Sequence, residues 1–119
     1  MVKKVLLSAA IYNISGGLLI IFLLNYLGPM IGMPIFGPSL FRLFTGGAAI
    51  TFGVGYFFAA KDFERQKLLV GLGAGLKYWA FLIALYCWWG QLISPFVFIA
   101  FGMVNLIFAL LFSVICFRP

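Results

Sequence analysis

The sequence predicts an all-α four-helix transmembrane bundle, up-down-up-down, with both termini in the cytoplasm. Three observations lead there. Of the 119 residues, 66% are apolar and 8% charged, far below the roughly one quarter charged that a soluble domain uses to wet its surface. The apolar residues form four continuous runs, each long enough to cross about 30 Å of hydrocarbon at about 1.5 Å per residue. The runs do not alternate, which excludes the strands of a transmembrane barrel. Finally, the cations segregate to one side of the expected bilayer.

The expected spans are residues 5–27, 40–60, 68–88 and 92–117, forming a single domain over 1–119. The first follows Lys3 and Lys4, as a signal peptide would. Its apolar core runs on past Leu24 without a small-x-small cleavage site, so it is expected to stay as a span. Residues 28–39 hold Pro29, Pro34 and Pro38 together with three glycines, so no regular helix is expected there. The same segment carries Met30, Ile31, Met33, Ile35 and Phe36, too apolar for a free aqueous loop. It is expected to lie in the interface or fold back over the bundle. Residues 61–67 form a charged turn, with Asp62 or Glu64 favoured near the start of the third span by the helix dipole. Tyr26, Tyr86, Trp88 and Trp89 fall at the opposite interface, where amphipathic rings are favoured.

Charge sets the orientation. Lys3, Lys4, Lys61, Arg65, Lys67 and Arg118 lie on one side and Arg42 alone on the other. By the positive-inside rule the first side is cytoplasmic, and the imbalance argues against a dual-topology dimer. The net charge of +6 is then a topology label. Scattered cations make no nucleic-acid patch, but they do favour anionic headgroups. Cys87 and Cys116 are expected near opposite faces of the membrane, beyond disulfide reach and without an activating neighbour.

Lys77 is the cation that topology does not explain. It falls about ten residues into the third span, at the midplane, where a lysine costs on the order of 3 kcal/mol. Counting depth from the helix ends brings Tyr12, Asn13, Thr51 and Asn105 to the same level, one polar group or more from each of the other spans. Small residues flank them at helical spacing. Ala9, Ala10, Gly16 and Gly17 surround Asn13; Gly47, Ala48 and Gly55 surround Thr51; and Gly73, Ala74, Ala80 and Ala84 surround Lys77. Gly53 also falls in the second span. Gly71 and Gly75 form a second small face on the third span, nearly opposite Lys77, suited to another helix or a second copy. The only acids, Asp62 and Glu64, lie in the inner turn, so Lys77 has no counter-ion at its depth. It is either held neutral, solvated by the Asn, Thr and Tyr dipoles, or paired with an anion from outside. A ligand site and a polar knot that fixes helix register stand as equal readings.

The chain has no His, no paired acids and no activated Cys, which removes hydrolytic triads, metal sites and general acid–base pairs. A haem lacks support, and no other cofactor is implied. No enzyme is expected; a Schiff base on Lys77 is the one covalent route left. The absence of a membrane acid argues against proton-coupled export by a small four-helix transporter.

Several strings together resemble a group of small bacterial four-helix membrane proteins, loosely DoxX-like. They are Ala10-Ile-Tyr12-Asn13 followed by Gly16-Gly17, Gly53-Val-Gly55-Tyr56, Ala59-Ala60-Lys61-Asp62, Gly75-Leu-Lys77 and Asn105. The chain departs from that pattern with Lys61-Asp62-Phe63 in place of an Arg-Asp-Pro turn, and with Asn105-Leu106 in place of an Asn-Asp pair. The resemblance implies a bacterial inner-membrane bundle and no particular activity. The expected function is that of a small membrane binding or accessory protein. Its layer of Lys77, Asn13, Tyr12, Thr51 and Asn105 would hold a lipophilic or anionic ligand, or stabilise a bundle that docks as a homo-oligomer or on a larger membrane complex. The alternative is an oligomeric anion channel or carrier with Lys77 as its selectivity charge.

Overall fold

The structure is a computed structural model that describes residues 1–32 and 39–117. With no water in hydrocarbon to satisfy backbone groups, a spanning chain must close its hydrogen bonds within itself, and apolar runs of this length do so as helices. Helix α1 covers Val2–Phe22, α2 Leu24–Ile31, α3 Ser39–Lys61 and α4 Lys67–Trp89. The last span, Pro95–Cys116, is made of a short α5 (Pro95–Val97), a π turn (Phe98–Met103) and α6 (Val104–Cys116). α1, α3, α4 and this last span are each long and apolar enough to cross a membrane, and the chain is a multi-pass membrane protein. Its outer surface fits that solvent: Phe44, Leu72 and Ile107 are 74%, 61% and 52% exposed, a display that water would penalise.

Two elements differ from expectation. The first span breaks at Leu23 (φ −122°, ψ −16°), and the chain continues as α2 through Gly28 and Pro29, a stretch expected to be loop. α2 closes its own backbone bonds, which an apolar segment at the interface needs, and ends on Gly32 in the left-handed conformation (φ +79°). Residues 33–38, the rest of the expected loop, lie outside the described residues, as does Arg118. The last span begins at Pro95 rather than 92. Ser94 caps it by accepting from the Val97 N–H (3.2 Å), and Pro95 takes the first helical position, where no N–H is needed. The π turn was not foreseen.

The Gly32–Ser94 joint ties α2 to the last span. The Ser94 N–H donates to the Gly32 carbonyl (3.0 Å), and the Ser94 hydroxyl donates to the carbonyl of Ile31. A Cβ on residue 32 would sit 2.5 Å from the Ser94 Cβ, so both the backbone angle and the space demand glycine. At the same end Arg42 reaches across from α3 and donates to the carbonyl of Ile21 in the last turn of α1. A cation suits the negative end of a helix, so Arg42 has a structural task there.

The charged turn also differs in detail. α4 starts after Gln66 with no acid in its first turn, and Asp62 instead pairs with Arg65 (3.4 Å) in an exposed contact worth little. Cys116 lies beside Lys67 at this basic end, whereas Cys87 is in the last turn of α4 at the far end. Trp88 stacks on Phe98 at that far end, with 4.6 Å between ring centroids.

The helices pack as two antiparallel pairs. In the first, α1 and α3 meet through glycines: a Cβ on Gly17 would lie 2.6 Å from the Gly46 carbonyl oxygen, and one on Gly53 would lie 3.1 Å from that of Ala10. In the second, α4 meets the last span at Ala84 against Gly102 and through the Tyr78–Ser113 hydroxyl pair (2.9 Å). Toward the basic end the pairs close on one core of Leu6, Ala9, Tyr56, Val70, Phe112 and Ile115. Gly55 meets Leu69 and Gly73 meets Tyr56 at the α3–α4 contact. By contrast, a Cβ on Gly16, Gly71 or Gly75 would meet nothing within 4 Å, so no close helix approach among the described residues depends on these expected packing residues.

Helix contacts this close separate the two sets of glycines. Gly17→Ala and Gly46→Ala are each expected to destabilise the bundle by about 1–3 kcal/mol, while Gly16→Ala and Gly71→Ala are neutral within about 0.5 kcal/mol. Unfolding of the purified variants in detergent, followed by circular dichroism, checks this.

Candidate functional site

Lys77 is the eleventh residue of the 23 in α4, and only 3% of its surface is exposed. Its Nζ donates to Asn13 Oδ1 on α1 (2.8 Å) and to Asn105 Oδ1 on α6 (3.0 Å). Each asparagine is itself anchored. Asn105 Nδ2 donates to the Phe101 carbonyl (2.8 Å) and Asn13 Nδ2 to the Ala49 carbonyl on α3 (3.4 Å). These second bonds fix which end of each amide faces the lysine. Tyr12 completes the group: its hydroxyl donates to the Ala100 carbonyl (2.8 Å) and accepts from Asn105 Nδ2 at 3.5 Å.

Four aromatic rings also stand near the amine. Nζ stands 5.3 Å from the ring centres of Tyr12 and Phe108, 5.6 Å from that of Tyr56 and 6.0 Å from that of Phe112. Aromatic faces attract a cation, by about 2 kcal/mol or more when desolvated. The two hydrogen bonds, at about 1.5–3 kcal/mol each for a charged group, match the cost of about 3 kcal/mol for a midplane lysine. The cluster therefore offsets its own burial without a large surplus.

The π turn puts Asn105 in place. Within it the Val104 N–H bonds to the carbonyls of Ile99 and Phe101, and the Ala100 carbonyl between them accepts from the Tyr12 hydroxyl. One residue more per turn rotates everything that follows, and π turns of this kind cluster at functional sites.

Of the residues expected at this level, the structure joins Lys77, Asn13, Tyr12 and Asn105. Thr51 does not join them: it is exposed on α3 and its hydroxyl donates back to the Gly47 carbonyl (2.8 Å). It stands on a different face of the helix from the expected one. On α3 the buried Gly46, Gly53 and Tyr56 set the packing face, and residue 51 lies about 200° around the helix from 53. Thr51 instead lines a shallow apolar groove of about 370 Å³ with Leu43, Phe44, Gly47, Ala48 and Phe52.

The aromatic wall was missed. Asn105, Phe108 and Phe112 share one face at i, i+3 and i+7, a signal present in the sequence. Tyr56 is fully buried over Gly73, and its hydroxyl has no hydrogen-bond partner among the described residues. Among the described residues no three His, Cys, Asp or Glu gather in a way that could hold a metal.

No protein-family profile matches the chain, and neither a curated protein nor a solved structure matches it.

Removal of one partner leaves a buried donor unmet. Asn105→Leu is expected to cost about 1–3 kcal/mol of unfolding free energy, and Thr51→Val less than about 0.5 kcal/mol. Chemical unfolding in mixed micelles compares the two.

Proposed function

We propose that this chain is a small bacterial inner-membrane protein of the accessory or binding type, in which the Lys77 layer locks four spans into one register and keeps a basic amine at the midplane. The observation that carries the reading is the joint engagement of Lys77 by Asn13 of the α1–α3 pair and by Asn105 of the last span, the partner of α4. α1 brings α3 with it through Gly17 and Gly46, so one amine links all the spans. Polar groups buried in this way are well suited to fixing register. The charge distribution orients the basic end, with both termini, toward the cytoplasm. The strings that resemble DoxX-like proteins hold Tyr12, Asn13, Tyr56, Lys77 and Asn105, consistent with a common layer.

A conducting role draws less support. Between Lys77 and the basic end the interior is the apolar core of Leu6, Ala9, Val70, Phe112 and Ile115, which offers an anion no polar path. An enzymatic role likewise gains nothing from a lysine this enclosed. The protein then acts through its surfaces and through what its Lys77 layer holds.

The lock reading predicts opposite outcomes for partial and complete replacement. Lys77→Met alone is expected to lower stability by about 2 kcal/mol because it leaves two asparagines unmet. Adding Asn13→Leu and Asn105→Leu recovers most of that loss, as apolar replacement of a buried polar group does. Thermal unfolding of both variants in detergent is the measurement, and an unaltered Lys77→Met refutes the lock. Anion efflux from liposomes holding the wild-type chain is expected to equal that from protein-free liposomes.

A further inference from the structure

The Lys77 layer is not sealed on every side. Tyr12 is half-buried, and its hydrogen bond to the exposed Ala100 lies at the surface of the bundle, in the seam between α1 and the π turn. Ile11, Ile99 and Phe101 flank it, exposed by 67%, 59% and 38%. From this surface pair a continuous chain of contacts leads inward, from the Tyr12 hydroxyl to Asn105 Nδ2 (3.5 Å) and from Asn105 Oδ1 to Lys77 Nζ (3.0 Å). The seam lacks the glycine contacts that bring α1 against α3, and it contains the π turn, a rare geometry found mostly at functional sites.

The charge balance is also incomplete. The whole chain has two acids, Asp62 and Glu64, both in the turn at the basic end, and Asp62 already pairs with Arg65. The titratable groups facing Lys77 are Tyr12 and Tyr56, and neither supplies a counter-charge of carboxylate strength.

We propose that this seam is a lateral port by which a lipophilic carboxylic acid, such as a long-chain fatty acid, enters from the bilayer and pairs with Lys77. The inference rests on the reading of the Lys77 layer above and names what the layer holds. The position selects the chemistry. A ligand that reaches the midplane must cross hydrocarbon without a net charge. A carboxylic acid does so in its protonated form, whereas a phosphate monoester stays ionised. A neutral lysine has two N–H bonds, matching the oxygens of Asn13 and Asn105, and a lone pair for the incoming proton. The O–H bond of the acid breaks and an N–H bond forms on Lys77, leaving carboxylate beside ammonium with no charge added to the bilayer. Tyr12 turns its hydroxyl from the Ala100 carbonyl to a carboxylate oxygen, and the exposed apolar residues of the seam receive the alkyl chain.

The test uses the purified full chain in nanodiscs, with cis-parinaric acid as a fluorescent probe and oleic acid, oleyl alcohol and lysophosphatidic acid as competitors. The port predicts one saturable site per chain, displaced by oleic acid and by neither of the others. Lys77→Gln weakens binding at least about tenfold, the loss of a buried charge pair, and Tyr12→Phe weakens it about three- to tenfold through one hydrogen bond. Should Lys77→Gln fail to fold, the 13C shift of carboxyl-labelled oleic acid on the wild-type chain decides, being that of carboxylate if the port is right and of the free acid if it is wrong. Displacement by oleyl alcohol means simple partitioning and overturns the port; displacement by lysophosphatidic acid overturns the neutral-entry step. A wild-type chain that binds no probe while Lys77→Met is still destabilised overturns the port and leaves the lock standing.

Discussion

A single buried amine governs the interior of this protein. Hydrocarbon offers Lys77 nothing, so every favourable contact has to come from the other spans. Asn13, Asn105, Tyr12 and a wall of aromatic rings supply them. Meeting that demand fixes the rotation of α1, α4 and α6 about their axes and their relative heights. The apolar core toward the basic end is compatible with those rotations, but apolar packing alone tolerates slippage that paired polar groups do not.

Close approach is the second condition. Polar side chains of ordinary length meet across a bundle only if the backbones are near, and in a bilayer no hydrophobic force draws helices together. The glycines at 17, 46 and 53 let α1 and α3 approach until backbone oxygen lies where a Cβ would be. From there Asn13 reaches the Ala49 carbonyl with one end and Lys77 with the other. The helix pairs are thus assembled by small residues and joined to each other by polar ones.

Three helix irregularities follow one rule. In the π turn the Ala100 carbonyl accepts from Tyr12, the break after α1 lies beside the Ile21 carbonyl that Arg42 caps, and the end of α2 gives the Ile31 carbonyl to Ser94. In each case a side-chain donor from another helix meets a carbonyl at a distorted or terminal turn, as a low-dielectric surrounding requires. Irregular backbone therefore coincides with tertiary contact here. The one such site that joins the Lys77 layer to the membrane-facing surface is the seam at Tyr12.

The sequence by itself determined the class, the four spans to within a few residues at most of their ends, and the common level of Tyr12, Asn13, Lys77 and Asn105. All three depend on translation along a helix, which hydropathy and a fixed rise per residue define. Rotation about the axis was beyond it wherever a helix carries two small faces. α3 offers one stripe at Gly47, Thr51 and Gly55 and another at Gly46, Gly53 and Tyr56; α4 offers Gly71 and Gly75 against Gly73, Lys77 and Ala84. Composition cannot rank such stripes, and only the packed partners chose, turning Thr51, Gly71 and Gly75 outward. The Ser94-Pro95 start and the Asn105, Phe108, Phe112 face were written in the sequence as a cap and a helical spacing. The π turn and the break at Leu23 carry no such signal and belong to the tertiary structure: each lies where a side chain from another helix meets a carbonyl, Tyr12 at Ala100 and Arg42 at Ile21, because hydrocarbon offers irregular backbone no other donor.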